Sequence, residues 1–280
     1  MDRRVISMAM RYVENPALVD KERDVAVPLL IRALGMKEME HRQDVMMILC
    51  TVAMEELWQP LCRIMADRSE PDELRDHSAV YISLVGPFIS RPAHLNRILQ
   101  DLFLSGDHGL KVRALLSMGW EGNRHAIPLL MSAVRSDDQE IRDVAIDALC
   151  SVREPELMDI LEEMVVNGSD QERLVILFNL WQFQDSEDRV AAIYTRELRS
   201  SDPPLRADIL RLLGELSPRP ENRSLYQQYL EDPDGKIRGL ALERLFELDL
   251  LDRDQVREFL DDPCMDVKRR ALAILREMDR

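Results

Sequence analysis

Between Ala126 and Leu149 the apolar positions of the chain fall into two helical stripes separated by a polar turn. Ile127, Leu130 and Ala133 recur at steps of three. Ser136 to Glu140 is then free of apolar residues, and Ile141, Val144, Ala145, Ala148 and Leu149 resume the spacing. Steps of three and four put one apolar face on each of two short helices. The stretch therefore reads as a helical hairpin. A first helix, A, carries Pro128 near its start, and a second, B, opens on Ile141 and Arg142.

The same arrangement recurs along the chain, and the basic residue at the start of each B helix marks it. Arg42, Arg75, Arg113, Arg142, Arg173, Arg206, Arg238 and Lys268 follow one another at intervals of about 32 residues. A fixed period of this length is the signature of a solenoid, because one hairpin cannot bury its apolar face alone and must stack on the next.

Taken in order, residues 2–13 predict a capping helix with Val5, Met8, Ala9 and Tyr12 on one face, broken at Asn15 and Pro16. Hairpins follow at about 22–52, 55–85, 93–121, 126–149 and 155–183. Three more turn at 201–204, 232–235 and 261–264. The longest interval, Arg75 to Arg113, contains Gly86-Pro87-Phe88-Ile89-Ser90-Arg91-Pro92, which reads as an inserted loop. Gly122 is expected to cap the end of the third B helix. The final B helix carries Lys268, Arg269, Arg270 and Arg276, so one side of it can face water as a terminal cap. The expectation is an all-α solenoid of about eight hairpins, with residues 1–20 as the capping segment and 22–280 as one repeat array.

Composition narrows the function classes. Apolar residues make up 46% of the chain but aromatics only 5%, so aliphatic side chains do the packing. A net charge of −15 argues against general nucleic-acid binding, which needs clustered cations against phosphate. Cys50, Cys62, Cys150 and Cys264 have no metal-ligand spacing and suit a reducing compartment. No secretory leader is read before Arg11, and no apolar run reaches the length of a membrane span. A cytoplasmic protein is expected. Paired acids such as Glu55-Glu56, Asp137-Asp138, Glu162-Glu163 and Asp261-Asp262 read as solvated faces or caps, since acid–base work needs carboxylates converging in a pocket. No Ser/His/Asp order, nucleophile elbow, phosphate loop or zinc spacing is present. Hence no catalytic residue, metal or cofactor is assigned, and the reading leans against an enzyme.

The pattern at 126–149, with Pro28, Pro60 and Pro128 standing 14 or 15 residues before their ladder residues, resembles HEAT repeats. Its short period is similar to the phycobilisome-lyase type. That resemblance implies a protein-interaction scaffold first and a bilin-lyase-type subunit as the alternative. Recognition of damaged DNA ranks lower on charge. A metal hydroxylase is disfavoured because none of His41, His77, His94, His108 or His125 is followed by Glu. In the family the ladder cations pair with turn aspartates between repeats, and Asp138, Asp202 and Asp234 are also placed to cap their B helices.

The binding partner expected is another protein or peptide on the concave face, which B helices line in such stacks. Five residues after each ladder position the chain reads Met47, Val80, Met118, Asp147, Phe178, Arg211, Glu243 and Ala273. Met47, Val80, Met118 and Phe178 are the expected apolar contacts, with Asp143, Asp147 and Arg211 as a polar rim. Trp58, Trp120 and Trp181 are expected in the core or between repeats.

Overall fold

A computed structural model describes residues 2–200, 203–217 and 222–279. Among these there are eighteen α-helices and no strand. The chain forms two compact units, residues 1–176 and 177–280, and each is taken by itself.

The first unit opens with α1 (Asp2–Glu14) and α2 (Ala17–Lys21). Val5, Ala9 and Tyr12 of α1 are buried, while Met8 is exposed, so the apolar face is narrower than its sequence predicts. Tyr12 donates to the Glu22 carboxylate, and Arg11 pairs with the same group, which anchors this segment to the start of the next helix.

Hairpins follow as pairs of A and B helices. They are α3 (Arg23–Leu34) with α4 (Arg42–Val52), α5 (Met54–Ala66) with α6 (Asp72–Val85), α7 (Pro92–Ser105) with α8 (His108–Leu116), and α9 (Ile127–Ala133) with α10 (Gln139–Val152). A fifth pair is α11 (Leu157–Asn167) with α12 (Asp170–Asn179), the last of which runs into the second unit. The remaining three pairs are α13 (Glu187–Ser200) with α14 (Pro203–Glu215), α15 (Arg223–Tyr229) with α16 (Gly235–Glu247), and α17 (Arg253–Glu258) with α18 (Met265–Met278).

The inward faces match the helical spacing of the apolar residues. Val45, Met46, Ile48 and Leu49 of α4 are buried, as are Leu57, Leu61, Ile64 and Met65 of α5. Full burial of each such side chain contributes about 1.5–3 kcal/mol. Aspartates end the turns by accepting orphan backbone N–H groups. Asp107 accepts from Leu110, Asp138 from Ile141 and Asp234 from Lys236, and Asp252 closes a capping box with Gln255. Asp202 lies outside the described residues.

Two local expectations change. Helix α8 stops at Leu116, so Gly122 is no C-cap. It sits in a later turn at φ +80°, where a side chain would be strained, and its N–H bonds the Val152 carbonyl of the following hairpin. The inserted loop is also more ordered than a plain excursion. Gly86–Phe88 forms a 3-10 turn, Gly86 lies against the Trp120 indole, and Ser90 donates its N–H and hydroxyl to Glu55 at 2.7 and 2.8 Å.

Candidate interaction surface

Ladder cations begin the geometry of the B-helix face. Arg42 donates from Nε to the Leu34 carbonyl and from both Nη atoms to Glu70, in the turn of the next hairpin. Arg142 reaches forward in the same way to Glu172, and in the second unit Arg206 reaches Asp232 and Arg238 reaches Asp262. The Arg238 hydrogen bonds, and then the Cys264 backbone N–H, hold the Asp262 carboxyl below its usual range. Lys268 adds its charge to that site, and Arg173 pairs locally with Asp170.

This forward pattern lapses where the interval lengthens. Arg75 donates to the Met65 carbonyl and to Asp72, and its buried Nη2 has no hydrogen-bond partner. Arg113 points back, to Asp72 and Asp76 of α6. Asp107, in the turn that Arg75 would otherwise reach, caps α8 and pairs with Arg68. The Leu110 N–H is the main cause that lowers its pKa, and the nearby Arg68, Arg75 and Arg113 charges add to it.

On the outward side, Gln43 of α4 bonds Glu73 and His77 of α6, which sets the two B helices side by side. One turn further along each lie Met47 and Val80, exposed by 54% and 43%. Leu84, one turn beyond Val80, and Phe88 in the following 3-10 turn are exposed as well. One position per repeat, five residues after each ladder cation, does not pass through Leu84 or Phe88. A step of four from Val80 reaches Leu84 on the same helix face, whereas Phe88 lies past the end of α6, where helical spacing does not apply.

Met118 is the correction. It is 1% exposed and belongs to the core. Counting five residues from Arg113 overshoots the helix, since α8 ends at Leu116 and the Met118 N–H bonds Leu115 in a tighter turn. A helical phase carries no meaning past the helix end. Asp143 and Asp147 are half-buried on α10, and Asp143 accepts from Gln139. Phe178 (36% exposed) and Arg211 lie in the second unit, away from the α4–α6 patch in the chain. Trp58 and Trp120 are buried as expected, whereas Trp181 is 46% exposed.

Burial pushes the Cys62 thiol up to about 12 and raises that of Cys150 further still, so neither is a nucleophile at neutral pH. Among the described residues no group of three or more His, Cys, Asp or Glu could hold a metal ion, and no helix is long and apolar enough to cross a membrane.

No curated protein matches the sequence. A chain in a structure describing Kap95p binding to RanGDP is similar at 11% identity and a TM-score of 0.48, covering 91% of this chain. This chain spans 40% of that one. An engineered protein is similar at 12% identity and a TM-score of 0.43, covering 88% of this chain and 76% of its own. A designed armadillo repeat protein is similar at 15% identity and a TM-score of 0.23, covering 89% and 98%. These comparisons do not single out the lyase type. What they do carry is a family match in the middle of the chain: residues 96–181, which run from α7 through α12, match the family model of HEAT repeats.

Proposed function

We propose that the protein is a non-enzymatic scaffold that binds a partner protein or peptide through the outward face of its B helices, the side expected to be concave. The observation that carries this reading is the placement of Met47 and Val80 on neighbouring helices, extended by Leu84 and Phe88. Exposed apolar side chains scattered singly need no explanation, but four on the side-by-side helices α4 and α6 and the turn after α6 read as a patch of the kind that partners cover. Asp44, one turn before Met47, and Glu73, about two turns before Val80, make the patch's edge acidic. Asp143 and Asp147 continue that character on α10. The ladder, which recurs in both units, supports reading residues 22–280 as one array. The four cysteines are free thiols, which supports a reducing compartment such as the cytoplasm.

Affinity capture with the full chain tests this, run in parallel with a Met47→Asp/Val80→Asp variant. A partner retained by the unsubstituted chain and lost by the variant, with helicity unchanged by circular dichroism, is the expected result. Equal retention by both chains removes this surface from the proposal.

A further inference from the structure

A separate cleft lies on the other side of the hairpins, between the A helices α5 and α7. It encloses about 380 Å3. Gln59, Arg63 and Ala66 line it from α5 with Cys62 beside them, and His94, Ile98 and Leu102 line it from α7 at steps of four. Toward the helix starts, the Trp58 indole meets the His94 imidazole edge-on, with centroids 5.7 Å apart and planes at 84°. The same end is tied by Glu55 of α5, which accepts both hydrogen bonds from Ser90 just ahead of α7. The two walls are thus held together from outside the cleft, and the space between them exists before any ligand arrives.

Its chemistry contrasts with the acidic composition of the chain. In a chain with 52 acidic and 37 basic residues, the lining contains no carboxylate. Arg63 is its one full charge. The ladder arginines of this unit, Arg42, Arg75, Arg113, Arg142 and Arg173, pair with carboxylates, whereas among the described residues Arg63 is one of several exposed arginines that do not. Among the described residues the Arg63 guanidinium has no such partner, and His94 faces only the Trp58 ring. Ala66, Ile98 and Leu102 give the lining its aliphatic part, Gln59 adds an uncharged amide, and the buried Cys62 thiol stays neutral.

We infer that this cleft binds a small amphipathic organic anion, its apolar body against Ala66, Ile98 and Leu102 and its carboxylate-type head on Arg63. A guanidinium matches a carboxylate with two parallel hydrogen bonds. Gln59 and His94 stand nearby as further polar groups. An apolar cleft of a few hundred Å3 with a small set of polar groups is the usual form of a small-molecule site. A cation is repelled by Arg63, and a neutral ligand gains nothing from it.

The test is a titration of the full chain with the fluorescent anion 8-anilinonaphthalene-1-sulfonate, followed by displacement. Saturable binding is expected, displaced by decanoate and far less by decanol. Arg63→Glu should weaken the probe's affinity about tenfold or more, with Arg63→Gln between the two and the circular dichroism of both unchanged. Binding in the Met47→Asp/Val80→Asp variant should equal that of the unsubstituted chain. The inference is overturned by an absence of saturable binding, by equal displacement with decanol, or by wild-type affinity in Arg63→Glu. Loss of the probe in the Met47→Asp/Val80→Asp variant alone also overturns it, since the probe would then report the B-helix patch.

Discussion

Arg42 and Glu70 stand 28 residues apart in the chain and are joined by two buried hydrogen bonds, of 2.5 and 2.9 Å. Both side chains are more than nine-tenths removed from solvent. The pair links the first two hairpins through the turn of one and the B helix of the other. Glu70→Ala leaves the guanidinium buried with only the Leu34 carbonyl, at a cost of about 3–5 kcal/mol. An Arg42→Met/Glu70→Leu double variant should lose markedly less, because no buried charge remains. Urea unfolding of the three chains decides it, and a double variant as unstable as Glu70→Ala contradicts the argument.

The contact of Gly86 with Trp120 makes a second prediction. A Cβ at position 86 would overlap the indole ring, which is itself buried and cannot turn aside. A Cβ at Gly214 would come closer still to Arg244, but it would meet the far end of a flexible side chain that can shift, not a ring fixed in the core. Gly86→Ala should therefore destabilise by about 1–3 kcal/mol and Gly214→Ala by less. Thermal melts of both variants rank them.

Met118 and Met47 occupy equivalent positions in sequence and opposite ones in space. Met118→Ala opens a cavity and should cost about 2–5 kcal/mol. Met47→Ala should stay within about 0.5 kcal/mol of the unsubstituted chain. Similar losses for the two in denaturant unfolding would show that the α4 face is packed.

Acid should weaken the fold in a defined window. Asp262 is held below the usual carboxylate range chiefly by Arg238, Asp138 by the Ile141 N–H, and Glu172 by the Ser169 N–H and hydroxyl. Each group binds a proton less readily folded than unfolded. Its contribution is complete above the unfolded value, about 4, and is lost as pH falls through the lower folded value. The urea midpoint should hold between about pH 7 and 5 and fall below about 4. Asp262→Asn should reduce the slope of that fall. A midpoint independent of pH down to about 3 contradicts the assignment.

Thiol accessibility gives a fifth check. Cys62 and Cys150 are buried, with their thiols held protonated. In the native chain at neutral pH both should resist maleimide labelling and react only after unfolding, as mass mapping of labelled peptides would show. Rapid native labelling of Cys150 would place it outside the core.

Much of the fold was legible because hairpin stacking repeats a local rule. Ala145, Ala148 and Leu149 are buried where their spacing puts them, and Asp138 and Asp234 cap the helices they precede. The patch was half legible. Helical phase found Met47 and Val80 and then failed at Met118, where α8 ended early. The cleft at Arg63 was not legible, since Arg63 and His94 belong to different hairpins and no spacing rule joins them.

Sequence by itself determined the all-helical class, the period and the apolar face of most helices, because each depends on residues within a few turns of one another. Tertiary structure decided the rest. It sent Arg42, Arg142, Arg206 and Arg238 forward to the next hairpin but Arg113 backward, drew Met118 inside, and set α5 and α7 around an arginine with no carboxylate partner among the described residues. The reason is geometric. A longer interval between Arg75 and Arg113 changes how one hairpin sits on the next, and contacts 24 to 41 residues apart respond to that packing and not to local propensity.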